Sequence, residues 1–235
     1  MASDEIKILS AGAPKSAVAA CADAFSEKTG IPIWYEFATA PILKEIVGSG
    51  NCEADIVVAP VGASETFAAE DHVIADSGSV LGSVKAAVTI KSGAIEPDLS
   101  SAETLKQALL GADSIVYNEA SSGQYIHTMI EQMGITDAVT DKVTRTKTGS
   151  AVMEHLHASS LMNEIGFGQA TEIQVQINKG LDVKLLGTLP KEVEKISTYQ
   201  SALLVGSEGN QAAKDLLEFI ASEEGQRICK TTGLI

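Results

Sequence analysis

Four short loops of small and hydroxyl-bearing residues, each between a β-rich run and a helix-length segment, are the parts of this sequence best suited to chemistry. They are Ala11-Gly12-Ala13-Pro14-Lys15-Ser16, Ala38-Thr39-Ala40-Pro41, Asn118-Glu119-Ala120-Ser121-Ser122-Gly123-Gln124-Tyr125 and Thr146-Lys147-Thr148-Gly149-Ser150. Small side chains let a ligand approach the backbone, and hydroxyls donate hydrogen bonds. The unpaired N–H groups at a helix start attract negative charge. Pro14 and Pro41 suit a first helical turn, where a missing N–H costs nothing. The chemistry implied is capture of an anion by dipoles and hydrogen bonds.

Other chemistries lack their residues. No Gly-x-Gly-x-x-Gly follows a strand, and neither a Walker-type phosphate loop nor a Gly-x-Ser-x-Gly elbow is present, so no cofactor is expected. His155 and His157 are two apart on a predicted helix and cannot share a metal; His72 and His127 are isolated, so no metal is expected either. Cys21, Cys52 and Cys229 are scattered and form no C-x-x-C pair, so the expectation is three separate buried or half-buried side chains, with a single bridge between two of them as the alternative.

The elements that must position the loops alternate. Ile6–Leu9, Ile31–Phe37 and Ile56–Ala59 read as strands; Lys15–Lys28, Pro41–Val47 and Ser64–Glu70 read as helices. The helix at Lys15 places Ala17, Val18, Cys21, Ala24 and Phe25 on one face, and Gly30 ends it. Strands alternating with helices argue for parallel pairing. Further on, Ser101–Leu110, Ser122–Gln132, Gly149–His157 and Thr171–Lys179 read as helices, with Ser101 as a cap. Ile115–Tyr117, Lys142–Arg145, Glu164–Gly168 and Val183–Leu186 read as strands, and Gln211–Ile220 and Glu223–Thr231 as closing helices.

Two long β-rich stretches, Val80–Ile90 and Ile196–Val205, break this alternation. If both carry the chain between lobes, residues 1–82 with 200–235 form one α/β lobe and residues 86–192 the other. The hinge strands are then about 80–90 and 196–205, and the four loops converge on an interlobe cleft. A single doubly wound sheet is the alternative.

The chain has 235 residues, 17 Lys+Arg against 31 Asp+Glu, and a net charge of −14; 45% of its residues are hydrophobic. That composition excludes a disordered chain, and the charge argues against a nucleic-acid partner. No run approaches the roughly 20 apolar residues of a membrane span, so a soluble globular protein is expected.

The loops and the strands before them carry a resemblance. Ile6-Lys7-Ile8-Leu9-Ser10-Ala11-Gly12-Ala13-Pro14-Lys15-Ser16-Ala17, Phe37-Ala38-Thr39-Ala40-Pro41-Ile42-Leu43 and Ala54-Asp55-Ile56-Val57-Val58-Ala59 resemble the opening of the periplasmic molybdate-binding proteins, type II solute-binding proteins of ABC importers. The likeness continues through Ser121-Ser122-Gly123-Gln124-Tyr125, Glu164-Ile165-Gly166-Phe167-Gly168-Gln169 and the closing helices. Order and spacing carry it. It implies an α/β fold of two lobes joined by two crossover strands, a small anionic ligand and a membrane permease as partner. It further implies a periplasmic monomer. The opening Met1–Lys7 is polar, without a signal-peptide run, so a leader absent from this chain or a cytoplasmic location are the two expectations.

The resemblance also aligns the site. Ala13 and Ala40 stand where the molybdate binders supply serines, with Thr39 adjacent; Ser122 and Thr148 stand near the second-lobe hydroxyls, and Gln169 near the family's tyrosine. Two missing hydroxyls would leave ligand oxygens unpaired at about 1–3 kcal/mol each, which argues against molybdate. Lys15 stands where a neutral residue is usual and suits a carboxylate. The expected ligand is an organic di- or tricarboxylate held by Ala13, Lys15, Thr39, Ala40, Ser121, Ser122, Tyr125, Thr146, Thr148 and Gln169, with Arg145 a further candidate.

Some chains similar to this group are aconitate isomerases, which makes an enzyme the alternative function. Lys15 would be its base, and Tyr125 or His127 would return the proton. The effector lobe of a transcription regulator shares the fold, but such regulators carry a basic helix-turn-helix ahead of the sensor, whereas this chain begins at its first strand.

Overall fold

The structure, a computed structural model, describes residues 5–235. Residues 1–4 of the expected first lobe lie outside the described residues. In chain order the elements are β1 (Ile6–Ala11), α1 (Lys15–Thr29), β2 (Ile33–Ala38), α2 (Ala40–Gly48), β3 (Ile56–Pro60), α3 (Val61–Ala69) and β4 (Ser79–Lys91). Then come α4 (Ala102–Gly111), β5 (Ser114–Asn118), α5 (Ser121–Gln132), α6 (Thr136–Val139), β6 (Val143–Thr146), α7 (Gly149–Ala158), β7 (Glu164–Gln169) and α8 (Ala170–Asn178). The chain ends with β8 (Val183–Thr188), β9 (Ile196–Leu203), α9 (Gln211–Ala221) and α10 (Glu223–Thr231). Two compact units result: Met1–Val84 with Ser197–Ile235, and Lys85–Ile196.

In unit 1, β1 is flanked by β2 and β3, both parallel to it, and β3 pairs antiparallel with β9. Ile6, Ile8, Ile56 and Val58 of β1 and β3 are buried, as are Ala17, Val18 and Phe25 of α1, Leu43 and Val47 of α2, Phe67 of α3, and Leu216, Leu217 and Ile220 of α9. α1 ends where the heptad-like spacing stops, at Gly30 with φ +74°, a left-handed conformation that costs glycine nothing.

In unit 2, β5 lies between parallel β6 and β7, and the Lys85–Lys91 part of β4 pairs antiparallel with β7 and β8. Side chains of β5 alternate between two cores. Ile115 and Tyr117 join Leu105, Leu109, Ile126, Met129 and Ile130 on one face. Val116 joins Val152, Met153, Leu156 and Ile173 on the other. Every residue of β5 is buried, as expected for a strand covered by helices on both sides. Ser101 caps α4 through a reciprocal capping box with Thr104.

Three expectations need correction. The short helix α6 was not anticipated, because four residues are too few to show a period. α3 begins at Val61 rather than Ser64: Pro60 stands at its cap, and Val61-Gly62 are weak helix formers that hide its first turn. The cysteines are not all separate. Cys21 of α1 and Cys229 of α10 are both fully buried, with their sulfurs 3.7 Å apart, although 208 positions separate them in sequence. Local spacing carries no information about a pair that only helix packing brings together.

Candidate anion-receptive turns of the two units

In a parallel sheet, the turns after neighbouring strands emerge at one edge. In unit 1, Ala11 is the register partner of Ala38, so the turns Gly12–Pro14 and Thr39–Ala40 start side by side. The sequence from Ala11 on has no bulky side chain before Lys15, and Ala13 and Pro14 are buried. α1 starts at Pro14, whose φ of −85° and ψ of 8° lead into the helix without any side-chain cap. The amides of Ala17 and Val18 already bond Pro14 O at 2.9 and 3.0 Å, and that of Lys15 reaches Gly12 O at 3.3 Å. Ser16 sits in the turn where an amide has no i−4 acceptor. α2 starts at Thr39, again without a side-chain cap, with Pro41 in its first turn and Leu43 N bonded to Thr39 O at 2.9 Å. Helix geometry leaves the amides of Ala40 and Ile42 without an intrahelical acceptor. Both helix starts can therefore give N–H groups to an anion, with methyl side chains of Ala13 and Ala40 beside them.

In unit 2, Asn118 is the register partner of Thr146, which brings the next two turns together. Asn118 is 1% exposed and organises its turn: its Oδ1 accepts from Ala120 N at 2.8 Å, and its Nδ2 donates to Ser122 Oγ at 3.1 Å. Glu119 N bonds Thr146 O at 2.8 Å, and Lys147 pairs with Glu119 at 2.9 Å. α5 starts at Ala120 without a side-chain cap, and its exposed Ser121 stands at the first position. Gly123 is required there, because a Cβ would overlap the main-chain carbonyl of Asn118.

The hydroxyls after β6 are used differently. Thr146 Oγ1 donates to Thr148 O at 3.0 Å, and Thr148 Oγ1 caps α7 by accepting from Ala151 N at 3.2 Å. The carboxylate of Glu172, in the first turn of α8, lies against Gly149 in the first turn of α7. One negative charge thus already stands at two helix starts, where dipoles favour it. Gln169, buried at 3% exposure, occupies the cap position of α8 in extended conformation, without a side-chain cap bond.

The remaining candidates point elsewhere. Tyr125 Oη donates to Val193 O at 3.0 Å, and Lys195 Nζ lies 5.5 Å above its ring; burial pushes its phenol above the ordinary value. His127 Nδ1 is 3.3 Å from Tyr117 Oη, and its Nε2 is 3.5 Å from Glu131. Arg145 stacks over Tyr117, its cross-strand partner, at 4.6 Å. Alternation along β6 puts Arg145 and Thr146 on opposite faces. Sequence reasoning quoted Asn118 within its loop without a role, although a buried amide two residues before a helix start is an Asx-turn signal. It missed Glu172 altogether; the signal was an acid in a first helical turn. Among the described residues, no group of three or more His, Cys, Asp or Glu could hold a metal ion, and no helix is long and apolar enough to cross a membrane.

The chain is 26% identical over 238 aligned residues to an aconitate isomerase from a Pseudomonas species, covering 97% of this chain and 87% of that protein. Among solved structures, the periplasmic molybdate-binding protein of Azotobacter vinelandii has 14% identity and a TM-score of 0.75, with 98% of each chain covered. The sulfate-binding protein of Mycobacterium tuberculosis H37Rv has 13% identity and a TM-score of 0.77, covering 98% of this chain and 86% of that one. At such identities the likeness establishes the fold, that of the two-lobe periplasmic binding proteins. The model of the bacterial extracellular solute-binding protein family matches residues 6–235, nearly the whole chain, and the chain belongs to that family.

Proposed function

We propose that this solute-binding protein takes a small organic di- or tricarboxylate and delivers it to the permease of an ABC importer in the periplasm. The observation that carries this reading is the set of helix starts at α1, α2 and α5, none closed by a side-chain cap. Each leaves at least one first-turn amide, that of Ser16 in α1, for the oxygens of an acid. Ala13 and Ala40 contribute no hydroxyl beside these amides, which disfavours a compact tetrahedral oxyanion that needs every oxygen paired. Lys15, first residue of α1, supplies a positive charge suited to a carboxylate.

Thermal unfolding in the presence of single ligands tests this. Citrate, tricarballylate or an aconitate isomer should raise the melting temperature, while molybdate, tungstate and sulfate should not. Saturable molybdate binding at micromolar concentration would overturn the reading.

The aconitate isomerase likeness favours one second reading, an allylic isomerase on the same scaffold. A base removes a proton from the substrate methylene, the double bond shifts, and a proton returns at the other end of the allyl system. Lys15 is the residue suited to that base. Tyr125 and His127 are weaker partners, since one already bonds Val193 O and the other Tyr117 and Glu131. Incubation with trans-aconitate, followed by absorbance, decides: turnover lost in Lys15→Ala supports the enzyme, and binding without turnover supports the carrier.

A further inference from the structure

We propose that Cys21 and Cys229 form an intramolecular disulfide when the chain folds in the presence of a disulfide oxidant, tying the first helix of unit 1 to its last. The two thiols come from opposite ends of the chain, yet their sulfurs are 3.7 Å apart and both residues have 0% exposure. A disulfide needs a separation of about 2.05 Å, so the sulfurs must approach by about 1.7 Å, within reach of small side-chain and helix adjustments. The surroundings favour the contact. Gly225 lets α10 fold back tightly, since a Cβ there would overlap main-chain atoms of Phe219 and Ile220. Cys21 Sγ lies 3.8 Å from Gly225 O. Cys52, half-buried, sits in the segment between α2 and β3 and is absent from this contact.

The pair is chemically asymmetric. Donation from the Cys21 thiol would stabilise a Cys229 thiolate, which lowers the Cys229 value, while the same bond and burial push Cys21 far up. That asymmetry belongs to the docked pair; in the folding chain, where the two thiols have not yet met, either can attack first, and Cys229 serves as the example. Its thiolate attacks one sulfur of a low-molecular-weight or enzymatic disulfide R–S–S–R and expels R–S⁻, leaving a mixed disulfide. Cys21 then loses its proton and attacks the Cys229 sulfur, expelling the second R–S⁻. Two protein thiols are oxidised, one R–S–S–R is reduced, and the released protons give two R–SH. Because both residues are fully buried in the fold, the reaction belongs to the folding chain, before α10 docks on α1. The compartment of an extracellular protein family supplies such oxidants. The bond would also secure α1, whose first turn carries Lys15, at its second turn.

The test uses the full chain and a Cys52→Ser variant, refolded from denaturant with oxidised and reduced glutathione. Expected are a mass 2 Da below the reduced form for the variant, joined Cys21 and Cys229 peptides in digests of both proteins, and a melting temperature roughly 5–15 °C above that of the same protein reduced. Two alkylatable thiols after refolding and denaturation would overturn the proposal. So would persistent glutathione adducts, or a cross-linked form that melts no higher than the reduced one.

Discussion

The carboxylate of Glu172 lies against Gly149, its Oε1 3.0 Å from the place a Cβ would take. The first turns of α7 and α8 thereby share one acid. Gly123 has a different neighbour, the main-chain carbonyl of Asn118. This contrast orders two substitutions. Gly149→Ala pushes against the end of a side chain that can rotate, and should cost about 1 kcal/mol or less. Gly123→Ala drives a methyl into backbone, and should cost about 2–4 kcal/mol by forcing α5 away from β5. Urea unfolding of both variants checks the order; equal losses would show that Glu172 is held as rigidly as a strand.

Asn118 is the hub of its turn. Replacing it with Ala removes the bond to Ala120 N and releases Ser122. Removing a buried partner should cost about 1–3 kcal/mol. The loss should fall equally on the ligand-free and ligand-bound protein if the turn merely shapes unit 2. If α5 receives the ligand, affinity should fall as well, by roughly tenfold. Unfolding and titration calorimetry on Asn118→Ala together measure both effects.

Tyr117 predicts an alkaline limb of stability. Burial raises its phenol above the ordinary value, with Arg145 pulling it back and Glu131 adding to the rise. The folded protein then holds the phenolic proton more tightly than the unfolded chain does. Its stabilising contribution is complete below the unfolded value of about 10 and is lost as pH rises through the higher folded value. Tyr117→Phe should lose about 0.5–1.5 kcal/mol near pH 8, with the bond to His127. It should then decline less steeply than the parent above about pH 10. Denaturation midpoints at pH 8 and pH 10.5 for both proteins provide the comparison; parallel declines would remove Tyr117 as the cause.

Much of the fold was legible from local pattern. α1 and α10 fall within one residue of the periodic segments read from the sequence, and β3, β5 and β7 match their apolar runs, because a buried face imposes a fixed spacing on residues near in sequence. α3 was misplaced by three residues at its start because a proline cap and weak helix formers leave no periodic mark.

The sequence by itself determined the order of strands and helices, the small-residue turns that follow β1, β2, β5 and β6, and the acidic charge that leaves anion binding to local dipoles. Only the tertiary structure decided what each turn does with its polar groups. Thr148 spends its acceptor on a cap, Asn118 rather than Ser122 governs the start of α5, and Glu172 reaches the start of α7 from another helix. The meeting of Cys21 with Cys229 was decided the same way. Spacing along a chain fixes which face a side chain shares with its near neighbours, whereas a partner dozens or hundreds of residues away is chosen by how whole elements pack.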